Sequence, residues 1–214
     1  SVTVTASALG FADGVASVVH RETREIGHVR SMNLPAQDLV WDPRRKRIYA
    51  SVLSYPFVDT GGWPAATASV LAIDPETEEV TRAVGVFSPG QLVLSKDGES
   101  LYVASGGLSV NRISLEDFTI RESYTAGHSQ DGSARYIRDF VPLERQPGRV
   151  VMALTWETES KTYVGFEVRD KTGAVSPALT FSGANPLSCL IEPTSDPDVV
   201  CGFTTDSPIA AGRT

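Results

Sequence analysis

The side chains able to do chemistry are few and scattered. Histidines stand at positions 20, 28 and 128. His20 and His28 are eight residues apart with no acidic or Cys ligand pattern near them, and His128 sits alone in GHSQDGS, so none has a metal-ligand partner at usable spacing. Asp59 and Asp131 lie in polar loops where carboxylate oxygens would suit a hard cation, but polar loops carry Asp whether or not they bind anything. No nucleophile elbow, HExxH helix, phosphate-binding glycine loop or dinucleotide fingerprint occurs. The expectation is no catalytic residue, no cofactor and no bound metal.

Two other groups carry more information. Residues 52 to 68, VLSYPFVDTGGWPAATA, place Tyr55, Phe57 and Trp63 beside Gly61-Gly62. Exposed aromatics on a flexible glycine hinge suit a sugar or a peptide, which makes Tyr55, Phe57, Asp59 and Trp63 the candidate ligand-binding residues. The alternative is that the rings fold back over a sheet edge. The second group is Cys189 and Cys201, twelve residues apart around Ser195. If Leu190 pairs with Val200, the two cysteines stand opposite one another and a cross-strand disulfide is geometrically possible. The alternative is two small buried apolar residues.

Charge narrows the partners. Twenty-six acidic against 19 basic residues give −7, a field that repels phosphate backbones, so a general nucleic-acid binder is not expected. The densest cationic stretch, Arg44-Arg45-Lys46-Arg47, therefore reads as a solvated turn. No apolar run approaches the roughly 18 residues of a membrane span, and SVTVTASALGF has neither a basic n-region nor an apolar h-region.

The elements that must position these residues are strands. Short Val, Ile, Leu, Tyr and Thr runs recur between turn clusters such as Asp74-Pro75, Lys96-Asp97-Gly98 and Lys171-Thr172-Gly173, and no amphipathic helix is apparent. The runs repeat. LVWDPRRKRIYAS has the outline of LVLSKDGESLYVAS, with Leu39 to Leu92 and Ile48 to Leu101 both 53 apart. DFVPLERQPGRVVMAL and CLIEPTSDPDVVCGF continue the series, placing Val150 49 residues after Leu101 and Val199 49 after Val150. Each hairpin is followed by a second one, SVLAIDPETEEVTRAVGVF in the first unit. Two hairpins at this period make a four-stranded antiparallel blade, so the predicted fold is an all-β propeller. RRKR then occupies a hairpin tip whose counterparts are KDGE, ERQPG and TSDPD. Trp41 should pack between blades, Trp63 should be more exposed, and Trp156 should mark a rim.

At this level of detail the chain resembles the bacterial YVTN-type surface-protein propellers. The resemblance rests on Asp38-Leu39-Val40-Trp41-Asp42-Pro43, Arg47-Ile48-Tyr49-Ala50-Ser51, and the run from Val70 through Ile73-Asp74-Pro75-Glu76-Thr77-Glu78-Glu79-Val80. Glu78 departs from it, because such blades carry Gly at that turn and Glu disfavours a left-handed conformation, so a differently shaped turn is expected. The resemblance implies seven blades and a secreted, cell-surface or periplasmic protein, with an immunoglobulin-like module ahead of the propeller. On that basis residues 1–30 would be the end of such a module and 33–214 an incomplete arc of about three and a half blades: 33–90, 91–137, 138–186 and a partial 187–214. The remaining blades would lie elsewhere in a longer chain. A closed four-blade ring, with the N-terminal strands completing the fourth blade, is the alternative. The expected function is a non-catalytic binding or scaffold propeller for a protein or carbohydrate ligand. The alternative is a lactonase-like hydrolase with a metal in the channel, which needs acidic or His side chains from several blades to converge.

Overall fold

Alternating β-branched and aromatic residues between Asp, Gly and Pro turns fold as strands, the only regular elements among the described residues of the computed structural model. Those residues are 2–6, 14–18, 32, 34–53, 68–128, 132–146, 148–156, 163–176, 188–194 and 200–205. The chain divides into two units, Ser1–Met32 and Asn33–Thr214. In the first, β1 (Val2–Ala6) and β2 (Gly14–Val18) form an antiparallel hairpin with Val2 opposite Val18.

The second unit is a succession of antiparallel meanders. Strands β3 (Ala36–Asp42), β4 (Arg47–Val52), β5 (Ser69–Ile73) and β6 (Val80–Gly85) form one four-stranded sheet in chain order. Strands β7 (Pro89–Leu94), β8 (Ser100–Ser105), β9 (Ser109–Ser114) and β10 (Thr119–Thr125) form the next. The third comprises β11 (Arg135–Pro142), β12 (Val150–Trp156), β13 (Tyr163–Asp170) and the short β14 (Gly173–Ala174). A hairpin of β15 (Ser188–Pro193) and β16 (Val200–Thr205) follows. In this hairpin β15 pairs with β16 antiparallel, with Ser188 opposite Thr205 and Pro193 opposite Val200.

The sheets stack face on face, and the core is the set of faces between them. Val40, Tyr49, Val70 and Ala72 of the first sheet meet Leu92, Leu101, Val103 and Ile113 of the second. Tyr102, Val110 and Tyr124 of the second meet Phe140, Met152 and Leu154 of the third. Ala153 and Phe166 of the third meet Ile191 of the hairpin. Four-stranded antiparallel meanders stacked in this way are the blades of a β-propeller, and the second unit is an arc of three blades and a further hairpin.

The first strand of each full blade is bulged at the same place. The pairing slips between Ala36 and Asp38 in β3, between Pro89 and Leu92 in β7, and between Ile137 and Asp139 in β11. A bulge inserts an unpaired residue and re-aims the next side chain, so a common bulge means a common task for the residue that follows it. The hairpin register sets the phase of the last repeat: Pro193 opposes Val200 as Leu94 opposes Leu101. Ile191, rather than Leu190, is thus the counterpart of Leu39, Leu92 and Phe140.

The Glu78 turn keeps the glycine shape. Glu78 adopts φ 63° and its N–H donates to the Asp74 carbonyl at 2.8 Å. Phe118, at the equivalent turn of the second blade, has φ 59° and donates to Ser114 at 2.9 Å. The expected change of turn shape is corrected: the main-chain bonds hold a left-handed residue there whatever its side chain.

Candidate functional site

Chain direction divides the blade loops between two ends. At one end lie the β4–β5 and β8–β9 connections and the links from one blade to the next; at the other lie the hairpin tips 43–46, 95–99 and 143–149. Tyr55, Phe57, Asp59 and Trp63, the candidate ligand residues, lie outside the described residues. Their loop is placed at its ends: it leaves β4 at exposed Leu53 and returns where the Val86 N–H donates to the Ala68 carbonyl at 3.1 Å. The next residue is Phe87, the most exposed large apolar side chain described, at 78%. The sequence pattern extends the strand EVTRAVGVF through Phe87, but β6 stops at Gly85 and Phe87 belongs to the blade link.

The Phe87 ring rests on glycine. A Cβ on Gly106 would stand 2.9 Å from two ring carbons, and Gly106 has φ +57°, so only glycine gives the ring this seat. The turn beneath is tied on both sides. Ser105 Oγ donates to the Phe87 carbonyl at 2.8 Å, the Gly106 N–H donates to Ser88 at 3.0 Å, and the Ile137 N–H of the third blade donates to Gly107 at 2.6 Å. Leu108 is exposed on the same turn, at 43%, and Tyr136 lies against Gly107. The result is an apolar rim with a fixed backbone, at the end where the aromatic insertion opens.

The opposite end is polar and self-occupied. Arg44 donates to the Asp97 carbonyl and, at 2.9 Å, to Glu99 Oε1; Arg45 donates to the Gly98 carbonyl, to Glu99 Oε2 at 3.3 Å and to Asp42 Oδ2 at 3.2 Å. The RRKR tip is therefore more than a solvated turn: two of its arginines clamp the tip of the next blade. Lys96 repeats the device one blade on, reaching Glu144 at 2.9 Å. Fully buried Asp42 organises the first tip, accepting from the N–H groups of Arg44 and Arg45 at 2.9 and 3.1 Å and from the Tyr49 hydroxyl at 3.2 Å. Burial works to raise the Asp42 pKa, but these bonds, with the Arg45 N–H and guanidinium foremost, outweigh it and hold the carboxyl below its ordinary value. Burial and then the Asp42 charge push the Tyr49 hydroxyl up to about 12.

The innermost strands carry the residues singled out by the bulges. Asp38 Oδ2 accepts the Leu92 N–H of the next blade at 2.7 Å, and Asp139 Oδ2 accepts the Ile191 N–H at 2.6 Å. Gln91, the counterpart of both, donates through Nε2 to Asp139 Oδ1 at 2.7 Å. The inner-strand carboxylates thus serve as blade-to-blade staples. Among the described residues no three His, Cys, Asp or Glu side chains stand together as metal ligands. His128 is exposed and pairs through its backbone with Ala134; His20, His28 and Asp131 lie outside the described residues.

Two further expectations are corrected. Leu190 pairs with Phe203 rather than Val200, so Cys189 faces Thr204 and Cys201 faces Glu192. The register proposed for a Cys189–Cys201 bridge is not the one formed, and Cys201 is an exposed free thiol. Trp41 is 49% exposed, because it shares with Leu39, at 59%, the face of the first blade turned away from the second. Trp63 and the Trp156 side chain lie outside the described residues.

No family model matches the chain, and no curated protein does. Among solved structures it is similar to the β-propeller domain of Myceliophteria thermophila Cps50 (Swd1), with 17% identity over 65% of this chain and 40% of that one and a TM-score of 0.43. It is also similar to U3-55K (12% identity, 64% and 40% covered, TM-score 0.41) and to the RRP9 WD40 repeats (11%, 64% and 39%, 0.41). The chain spans about 40% of the length of these structures.

Proposed function

We propose that this chain is a non-catalytic binding propeller that takes a protein segment on the rim formed by Phe87 and Leu108, with Tyr55, Phe57, Asp59 and Trp63 as its further candidate contacts. One observation carries the proposal: the Phe87 ring is exposed yet seated on the Gly106 turn, which is hydrogen-bonded to the Phe87–Ser88 link on one side and to the third blade on the other. A large apolar side chain held out to water on a rigid backbone is the anatomy of an interface anchor, since little conformational freedom is lost when a partner covers it. The commitment of Asp38 and Asp139 to blade junctions favours binding over channel chemistry. The resemblance to YVTN-type propellers supports a secreted, cell-surface or periplasmic setting, further blades in a longer chain, and an immunoglobulin-like origin for the N-terminal hairpin.

The test is to select binders from a random-peptide display library on the 214-residue chain and to probe the same chain on a glycan array. Selected peptides should lose at least about tenfold in affinity for a Phe87→Ser/Leu108→Ser double variant and for Trp63→Ala. Peptides that bind all three proteins equally, or a glycan response with no peptide response, would overturn the proposal.

A further inference from the structure

At the end opposite the rim, a cavity of about 390 Å³ lies between the hairpin tips of the second and third blades. Tyr102, Pro142 and Leu143 give it apolar walls, and Arg112 and Lys96 bring cations to it. We propose that this cavity is a binding site for a small organic carboxylate whose apolar body lies against Pro142 and Leu143 and whose charge is met by Arg112 and Lys96. The volume falls in the range of about 300–1,000 Å³ typical of small-molecule sites, and apolar walls with a few fixed polar groups are their usual make-up.

Arg112 is the fixed group. Its Nε donates to the hydroxyl of buried Ser100 at 2.9 Å and its Nη1 to Glu122 at 3.2 Å, and Glu122 is itself gripped by the Tyr124 hydroxyl at 2.5 Å. Burial works to lower the Arg112 pKa, but the Tyr102 hydroxyl's charge interaction and then the Glu122 hydrogen bond outweigh it, the net shift is upward, and the guanidinium stays charged. Among the described residues its Nη2 has no partner, which leaves a donor on a guanidinium whose plane is already set. That geometry suits a planar carboxylate, for which a preset guanidinium loses little freedom on binding.

Lys96 is the adjustable group. It straps the cavity mouth through its exposed ion pair with Glu144, a contact of the weak class that an incoming anion can displace. Asp97, Glu144 and Arg145 also line the cavity, so its wall mixes both signs of charge, and the apolar faces of Pro142 and Leu143 favour a carboxylate with an apolar body over a fully hydrated phosphate.

The probe is benzoate, with benzamide as the neutral isostere, followed by amide chemical shifts of the 214-residue chain. Benzoate should saturate, moving the amides of residues 95–97, 112 and 143, and benzamide should not. Glu144→Gln, which frees Lys96, should tighten benzoate by about threefold, and Lys96→Met should weaken it by a similar factor. Both changes fall on tip side chains outside the core, so the fold is retained. Equal binding of benzamide or of inorganic phosphate, shifts scattered away from both tips, or no response of affinity to either substitution would overturn the site.

Discussion

Asp139 and Ile191 meet across the junction of the third blade and the last hairpin, with the buried carboxylate accepting the Ile191 N–H at 2.6 Å. The same carboxyl group takes the Phe140 N–H at 2.8 Å and the Gln91 amide at 2.7 Å. Asp38 and Leu92 repeat the main-chain bond at the first junction. Apolar burial between blade faces is non-directional, whereas a carboxylate bonded to one defined N–H of the next strand fixes the register of the stack. Removing Asp139 leaves a buried N–H without an acceptor, so Asp139→Ala should cost about 2–3 kcal/mol and Asp139→Asn, which keeps an acceptor oxygen, about 1 kcal/mol. Asp38 is less buried, and Asp38→Ala should cost about 1 kcal/mol. Urea denaturation of the three variants checks the order; equal losses for Ala and Asn at position 139 would remove the hydrogen bond from the explanation.

The Asp42–Tyr49 pair makes stability depend on pH at both extremes. The Asp42 carboxyl is held below its ordinary value of 3.8, so its contribution is present above that value and is lost as pH falls through the lower folded value. Tyr49 is raised from 10.0 to about 12, so its contribution is intact below pH 10 and is lost as pH rises from there towards 12. Denaturation midpoints should therefore fall below pH 4 and above pH 10. Asp42→Asn should flatten the acid limb and Tyr49→Phe the alkaline one. Phenolate absorbance should rise in two steps, with Tyr49, Tyr102 and Tyr124, all held neutral by burial, in the later one.

Glu78 and Phe118 share a left-handed turn but answer to different forces. Glu78 bears the cost of φ 63° on a half-buried turn, and Glu78→Gly should stabilise the chain by about 0.5–1 kcal/mol. Phe118 bears the same cost, but its buried ring stacks on Tyr49 at 6.0 Å between centroids within the first interblade core. Phe118→Gly should therefore destabilise by about 3–5 kcal/mol despite relieving the backbone. Thermal unfolding of the two variants should shift in opposite directions.

The strands and their repeat were legible because both are local: alternation shows in six residues, and the Tyr49–Tyr102 outline shows at one spacing. The phase of the last repeat was not, since Leu190-Ile191 and Val199-Val200 are paired apolar neighbours that alternation alone cannot tell apart. The staples left a trace that could have been followed, an acid or amide at positions 38, 91 and 139 inside otherwise apolar strands. The tip clamp left none, because Arg44 and Arg45 find Glu99 more than 50 residues away and nothing in RRKR announces an acceptor. The rim was hidden for the opposite reason: Phe87 continues an apolar run, and its exposure follows from where β6 ends.

The register of the last hairpin makes its chemistry testable. With Cys201 opposite Glu192 and exposed to solvent, the thiol is open to alkylation in the folded chain. Iodoacetamide applied without reductant should label Cys201 at native pH, with the site read by peptide mass and lost in Cys201→Ser. A bridge to Cys189 would require the strand to slide by three residues, breaking every pair from Ser188–Thr205 to Pro193–Val200. Labelling that appears only after reduction would show that slide and would overturn the register described for β15 and β16.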